Sequence, residues 1–454
     1  MFLNRLAQSW KQASKPFTRE GSTMETNLIK KKYEEFFLKP VMDEITIREG
    51  KGIKLIDASG KEYMDFTSGF GVSLLGYNNE YTEYVHEAIQ RQIRRIVHIP
   101  HYLYYSEPAI ALAEKLAEIS PGALKKTFLC NSGSEAIEGA IRTVRKYKNR
   151  FELLGLQQGF MGHSMGAVSL TGRSKDKRKI GPLLPGVYHI PAPYCFRCSL
   201  RQTYPGCNLA CADYVEDFLE FGTSGNVAGL VIEPIMGHAG VVVPPDGYFS
   251  RIGEICRRHG IAVVADETLT GFGKTGKMFA VKHWEIEPEI MTLGKALGGG
   301  FPLGAFIVTD NVASVFEFED ASSALGGNPV SCAASLATID LIEKEALCEK
   351  AARLGDYLIN ELRHLEATSE AIGEVRGKGL FVGIEIVEGD NHDKAHQKAQ
   401  QIKRLMQEGG FLLTVYGGST IRLTPPLIIE QDHIDHFIET FISVLKKVTG
   451  VERD

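Results

Sequence analysis

Residues 227–266 read VAGLVIEPIMGHAGVVVPPDGYFSRIGEICRRHGIAVVAD. Two short apolar runs, Val227 to Ile232 and Ile261 to Ala265, each break off into polar residues, and Tyr248 to His259 between them has a helical pattern. Unbroken apolar runs suit strands buried on both faces, and an intervening helix is the crossover that joins parallel neighbours. The rhythm predicts an α/β fold with a mostly parallel sheet covered by helices. Ligands of such sheets bind outside the carboxyl ends of the strands, so the polar residues just after the runs are the first candidates for chemistry.

Working outward, the last hundred or so residues change character. Leu380 to Ile386 and Phe411 to Leu423 read as strands, while Lys394 to Glu408 and Asp432 to Lys447 read as helices. These elements predict a smaller α+β domain at the C terminus. Near the other end, Lys54 to Phe66 alternates like a hairpin around the turn Asp57–Gly60 and is assigned to the same small domain. The expected division is a flexible tail over 1–30, the N-terminal part of the small domain over 31–80, a large domain over 81–330 and the C-terminal small domain over 331–454.

With 44% hydrophobic and 24% charged residues among 454, the composition is that of an ordinary globular protein. A net charge of −5 speaks against a polyanion-binding surface, and no apolar run approaches the roughly 20 residues of a membrane span. Neither nucleic acid nor membrane is expected as a partner, and a cytoplasmic location is. From Met1 to Arg19 the chain carries Arg5, Lys11, Lys15 and Arg19 but no acid. That composition also suits a transit peptide and a mitochondrial location, with Met24 as a second start, or simply a basic tail. Of eight cysteines, Cys130, Cys256, Cys332 and Cys348 sit in apolar or helical surroundings, as buried small hydrophobes do.

Four places carry candidate chemistry. Asn131-Ser132-Gly133-Ser134-Glu135-Ala136 follows an apolar run and opens a helix, so Gly133 and Ser134 can cradle a phosphate at its positive end; simple capping explains them as well. Asp266, with Glu267, ends a strand where a buried carboxylate can keep a pyridinium protonated, or can cap the next turn. Lys295 is enclosed by apolar residues and glycines, where desolvation makes an amine a usable nucleophile for a Schiff base. Arg422 interrupts the apolar stretch Ile421 to Leu423; its fork suits a substrate carboxylate or a structural ion pair.

Phosphate cradle, pyridine partner, imine-forming amine and carboxylate clamp together describe a pyridoxal-phosphate (PLP) site. At these residues the chain resembles the class III (ω-) aminotransferases, a family of fold-type I PLP-dependent enzymes. DETLTGFGKTG at 266–276 and LGKALGGGFPLGA at 293–305 carry the resemblance, supported by NSGSEAIEGAIR, GAVSLTG, VIEPIMGHAGVVVPP and LGGNPVSCAA, and it runs from about Ile45 to Val448. It implies that Lys295 holds the cofactor and shuttles the proton, and that Asp266 holds the pyridine nitrogen. It implies further that Gly133 and Ser134 bind phosphate, that Phe160 stacks on the ring, and that Glu233, Thr268, Ser323 and Ala324 complete the cofactor site. Phe70, His163, His238 and Arg422 become the expected substrate-binding set. A small domain drawn from both chain ends, a homodimer or tetramer, and an amino donor with an oxo-acid acceptor are also implied.

Departures from the family bear on substrate. His163 stands where an Arg can grip a carboxylate, and His238 where a Glu can pair with the strand Arg. Leu269 stands where Gln is frequent, and Ala324 where a Thr crosses the dimer to the phosphate, with Ser323 beside it to substitute. Cys195, Cys198, Cys207 and Cys211 lie in an apparent insertion at about 191–213, at a spacing open to a structural zinc or iron–sulfur site or to plain thiols. The same family includes racemases, epimerases and aminomutases, so outcomes other than amino transfer stay open. A noncatalytic metal- or redox-responsive binding protein is the reading from another class, and the pair Lys295 and Asp266 speaks against it.

Overall fold

The computed structural model describes residues 23–38, 41, 43–284 and 286–450. Its first strands, β1 (Ile47–Lys51), β2 (Lys54–Asp57) and β3 (Glu62–Asp65), form an antiparallel meander. Asp57 closes the β2–β3 turn, its carboxylate accepting from the N–H of Ser59 and of Lys61. Thr23–Phe36 is a helix, so part of the expected tail is regular structure, while residues 1–22 and their basic charges lie outside the described residues.

The middle of the chain builds a seven-stranded sheet from β4 (Leu124–Cys130), β5 (Glu152–Leu156), β6 (Val187–Ile190), β7 (Val227–Ile232), β8 (Ala262–Asp266), β9 (Ile290–Leu293) and β10 (Gly304–Thr309), in the order β4-β10-β9-β8-β7-β5-β6. Only β10 runs antiparallel to its neighbours, so the other six strands bring their carboxyl ends to one edge. Every residue of β7 and β8 is buried, which accounts for their unbroken apolar sequences. Helices Gly133–Lys148 and Tyr248–His259 cover the sheet with the apolar stripes read from the sequence, Ile137, Ala140, Ile141 and Val144 in the first. Asp266 is the last residue of β8 rather than the residue after it.

The C-terminal part contributes β11 (Ile372–Lys378), β12 (Phe381–Ile386), β13 (Phe411–Leu412), β14 (Thr414–Tyr416) and β15 (Thr420–Leu423). The single strand expected over Phe411 to Leu423 is three. A turn at Gly417 and Gly418, both at positive φ, folds β14 back on β15, and β13 leaves that sheet to pair in parallel with β3. Phe66, just after β3, stacks on Phe437 of the last helix at 4.6 Å between ring centroids and meets Phe411 edge-on. Chain segments more than 340 residues apart thus share one core, as Phe411 pairing with Met64 also requires.

Tyr194 and Arg197 tie the cysteine-rich segment to the C-terminal sheet. Glu385 of β12 is fully buried and accepts from Tyr194 Oη, Arg197 Nε, Arg376 Nη2 and Thr420 Oγ1, at 2.5 to 2.7 Å. Burial opposes its charge, but Arg376, Tyr194 and Arg197 outweigh that and hold its carboxyl below the ordinary glutamate range. Cys195, Cys198, Cys207 and Cys211 line one small hollow, and all four thiols are free. Among the described residues, no group of three or more His, Cys, Asp and Glu is arranged to hold a metal ion. The expected zinc or iron–sulfur site is therefore unsupported. Burial and the neighbouring thiols push Cys195 and Cys211 up to about 11. Of the other cysteines, Cys348 is half-buried rather than buried like Cys130, Cys256 and Cys332.

Because Phe437 bridges Phe66 and Phe411, Phe437→Ala is expected to destabilise the protein by about 3–5 kcal/mol. Chemical denaturation followed by circular dichroism measures this; an unchanged midpoint would show that the contact between the chain ends contributes little.

Candidate active site

At the common carboxyl edge, backbone approaches backbone too closely for side chains. A Cβ on Gly133 would stand 2.7 Å from Thr268 Cγ2, and one on Gly304 would stand 2.3 Å from the Ser132 carbonyl oxygen. Ser132 caps the helix beginning at Gly133, its hydroxyl accepting from the Glu135 N–H. The first N–H groups of that helix have no intrahelical partner and carry the positive end of its dipole. Thr268 Oγ1, buried with no hydrogen-bond partner, stands beside the same opening. Ser134 Oγ accepts from the His163 N–H at 3.3 Å. Ser323 Oγ, across the loop, accepts from Asn131 Nδ2 at 2.9 Å, and Ala324 next to it is exposed.

Asp266 and Lys295 belong to adjoining strand ends. The Asp266 carboxylate accepts from the Thr268 N–H at 3.0 Å and Thr292 Oγ1 at 2.9 Å. Burial raises its pKa, opposed by these bonds and by Lys295. Lys295 follows β9 in a left-handed conformation, φ 46°. Its pKa is lowered by burial and further by Arg422, while Asp266 and Glu233 act the other way. Glu233, at the end of β7, accepts from the N–H groups of Phe160 and Gly237, and burial together with Asp266 pushes it up to about 7.

On the C-terminal side, Arg422 of β15 is 1% exposed, and its Nε and Nη1 have no hydrogen-bond partner. Its guanidinium carbon lies 4.1 Å from the Tyr416 ring centroid and 5.2 Å from that of Phe70. His238 stacks on Phe160 at 4.0 Å and meets Tyr416 edge-on at 4.7 Å. Burial, with Arg422 and Lys295 nearby, pushes His238 down to about 2. A neutral imidazole cannot neutralise Arg422, whose charge is favoured by Tyr416 and Glu233 while burial opposes it. Phe160 also meets the His163 ring edge-on and lies near Arg173.

The fold thus gathers the strand-end residues around Lys295 and Asp266 and sets Phe70, Phe160, His238 and Arg422 in one aromatic-walled enclosure. Sequence reading did not single out Tyr416, Arg173 or Lys274. Lys274 sits within the quoted DETLTGFGKTG, so a lysine between glycines was a usable signal; nothing local marked Tyr416, which reaches Arg422 only because β14 folds back on β15.

These groups fit PLP. The glycine-lined helix start and the orphaned Thr268 hydroxyl suit a phosphate or ring hydroxyl, and buried Asp266 lacks only the cationic N–H of a pyridinium.

Comparison with known proteins agrees. The sequence profile of the family described as "Aminotransferase class-III" matches residues 38–445. The chain is 36% identical over 393 residues to the leucine/methionine racemase of Thermococcus litoralis, covering 86% of this chain and 88% of that protein. It is 34% identical over 401 residues to the acetylornithine aminotransferase of Methanothermobacter thermautotrophicus, covering 88% and 94%. Among solved structures, an (S)-enantioselective omega-transaminase from Thermomicrobium roseum superposes with a TM-score of 0.86 at 30% identity, over 93% of this chain and 98% of that one. The omega transaminase of Pseudomonas jessenii in complex with PMP gives 0.87 at 27%, with the same coverage. Family match, relatives and fold give one answer: the chain belongs to the class III aminotransferases, enzymes of the fold-type I, PLP-dependent kind.

Proposed function

We propose that this enzyme moves an amino group from an ω-amino acid, amine or diamine to an oxo acid, pyruvate or 2-oxoglutarate, by a ping-pong mechanism through one site. The observation that carries the reading is Arg422, a buried guanidinium with two unpartnered nitrogens close enough to Lys295 to depress its pKa. A carboxylate is the natural bidentate partner for such a fork.

PLP, when bound, supplies the electron sink and the carrier for the amino group. In this reading the amides of Gly133 and Ser134, with the Thr268 hydroxyl, hold its phosphate, and Asp266 keeps a proton on the ring nitrogen. Phe160 and His238 wall the ring, and Glu233 fixes that wall through the Phe160 N–H. Lys295, its amine favoured in the uncharged form by burial, binds the cofactor and takes and returns the proton at the substrate carbon. Arg422 orients the carboxylate of the donor or acceptor, and Phe70 and His163 line its approach. Because His238 stays neutral, Arg422 is available in both half-reactions.

A homodimer, or a tetramer built from it, fits the surface beside the helix start. There Ile93, Val97, Phe301 and Leu325 leave apolar area exposed around Asn131, with Ser323 and Ala324 close by. No helix among the described residues is long and apolar enough to cross a membrane. We place the enzyme in the cytoplasm, or in mitochondria if the basic N terminus directs it there. We also propose that the segments before about residue 80 and after about 330 act as one small domain against the cofactor-binding part.

The second reading is racemisation, favoured by the likeness to a leucine/methionine racemase. Incubation of single amino acids in D2O without oxo acid separates the two: α-deuteration with inversion marks a racemase, whereas net loss of the amino group to added pyruvate marks an aminotransferase.

For the leading reading, Lys295→Ala is expected to lose the long-wavelength cofactor absorbance and at least roughly 10²–10⁴-fold of amino transfer from amines to pyruvate. Wild-type-like turnover in that variant would sink the assignment. His238→Gln is expected to leave the pH–rate profile unmoved between about pH 5 and 8, because the imidazole already stays neutral there. A displaced limb would show that His238 titrates in the working enzyme.

A further inference from the structure

Lys274 has no part in the chemistry described so far, yet it is 0% exposed and its Nζ has no hydrogen-bond partner. A Cβ placed on Gly71 would stand 3.3 Å from Lys274 Nζ and 3.7 Å from Lys295 Cδ. The two lysine side chains therefore converge on one point, beneath a turn that only glycine can complete at φ +84°. That turn, Ser68–Gly71, is left-handed at all four residues, and its Phe70 lies over Arg422. Lys274 and Arg422 are thus two buried basic groups under one cover, with Lys274 Nζ and Arg422 Nε and Nη1 unpartnered.

Three charged groups face Lys274: Asp65 at the end of β3, Lys295 after β9 and Arg422 on β15. Asp65 attracts it but is already engaged. Its carboxylate accepts from the Thr67 N–H and Oγ1, the Gly69 N–H and Tyr77 Oη. Burial, then Arg422 and Lys295, push Lys274 down to about 7. Asp65 offsets part of the charge, but with its oxygens taken by these donors it leaves Lys274 Nζ without a hydrogen bond. A carboxylate entering the site can supply the bond that the chain leaves unmade.

We infer that Lys274 is the second cation of the carboxylate site, sharing with Arg422 the carboxylate of an amino-acid or oxo-acid substrate. The inference rests on the proposed amino transfer to an oxo acid. Arg422 supplies the planar fork and Lys274 a point charge beside it. A carboxylate arriving between them favours the ammonium form, so above neutrality substrate binding draws a proton onto Lys274 Nζ.

Two measurements on the PLP-loaded enzyme test this. Calorimetric titration with propanoate, an unreactive carboxylate, at about pH 8 in buffers of different ionisation heat should show proton uptake in the wild type and much less in Lys274→Met. In steady state, Lys274→Met should raise KM for pyruvate about 10- to 100-fold, far more than it affects kcat. Its loss with amino-acid donors should exceed its loss with a carboxylate-free amine by a similar factor, and Lys274→Arg should restore KM. Equal losses with both donor types, or unchanged proton uptake and KM in Lys274→Met, would make Lys274 a structural residue and overturn the inference. Should Lys274→Met not fold, absence of proton uptake in the wild type is itself decisive against it. A wild type that moves no amino group to any oxo acid refutes the proposed reaction instead, while propanoate-linked proton uptake still reports on Lys274.

Discussion

Asp266 ends β8, its carboxylate accepting from Thr292 of the neighbouring β9, and Lys295 follows β9 after Gly294. Placing a carboxylate and an amine there strains each against its charged form: burial raises one pKa and lowers the other. Parallel strand ends make this tolerable because nearby N–H and hydroxyl groups, such as those of Thr268 and Thr292, are aimed at the acid. The lysine gets no comparable set of acceptors and stays poised towards the free amine. The glycines at the edge follow from the same demand, since the helix start at Gly133 must close down on Thr268.

Around that pair the protein buries basic groups whose hydrogen-bonding capacity is not filled by the chain. Arg422 and Lys274 are buried with unpartnered nitrogens, Glu233 is pushed up to about 7, and His238 stays neutral. The unpartnered Arg422 nitrogens sit among the aromatic rings of Phe70 and Tyr416, with Phe160 stacked on His238 beside them.

The enclosure exists because the two chain ends meet. Phe66, Phe411 and Phe437 lock the N-terminal meander to the last helix, and the Asp65 bonds set the turn that carries Phe70 over Arg422. Glu385 anchors the cysteine-rich segment to the sheet that bears Arg422 by accepting from Tyr194 and Arg197.

The sequence alone determined the mostly parallel sheet, because apolar runs such as Val227–Ile232 are unbroken only when both faces of a strand are buried, and it marked Lys295, Asp266, Gly133 and Arg422 because each is costly outside a site. These are local signals, legible from a residue and its immediate neighbours. Tertiary structure alone decided that Phe411–Leu423 splits between two sheets, that Tyr416 backs Arg422, that His238 packs on Phe160, and that the four cysteines surround a hollow with no metal-binding arrangement. It also placed Lys274 beneath Gly71. Each of these depends on contacts between residues distant in the chain, and the burial and electrostatic field at a side chain arise only when those distant segments close around it.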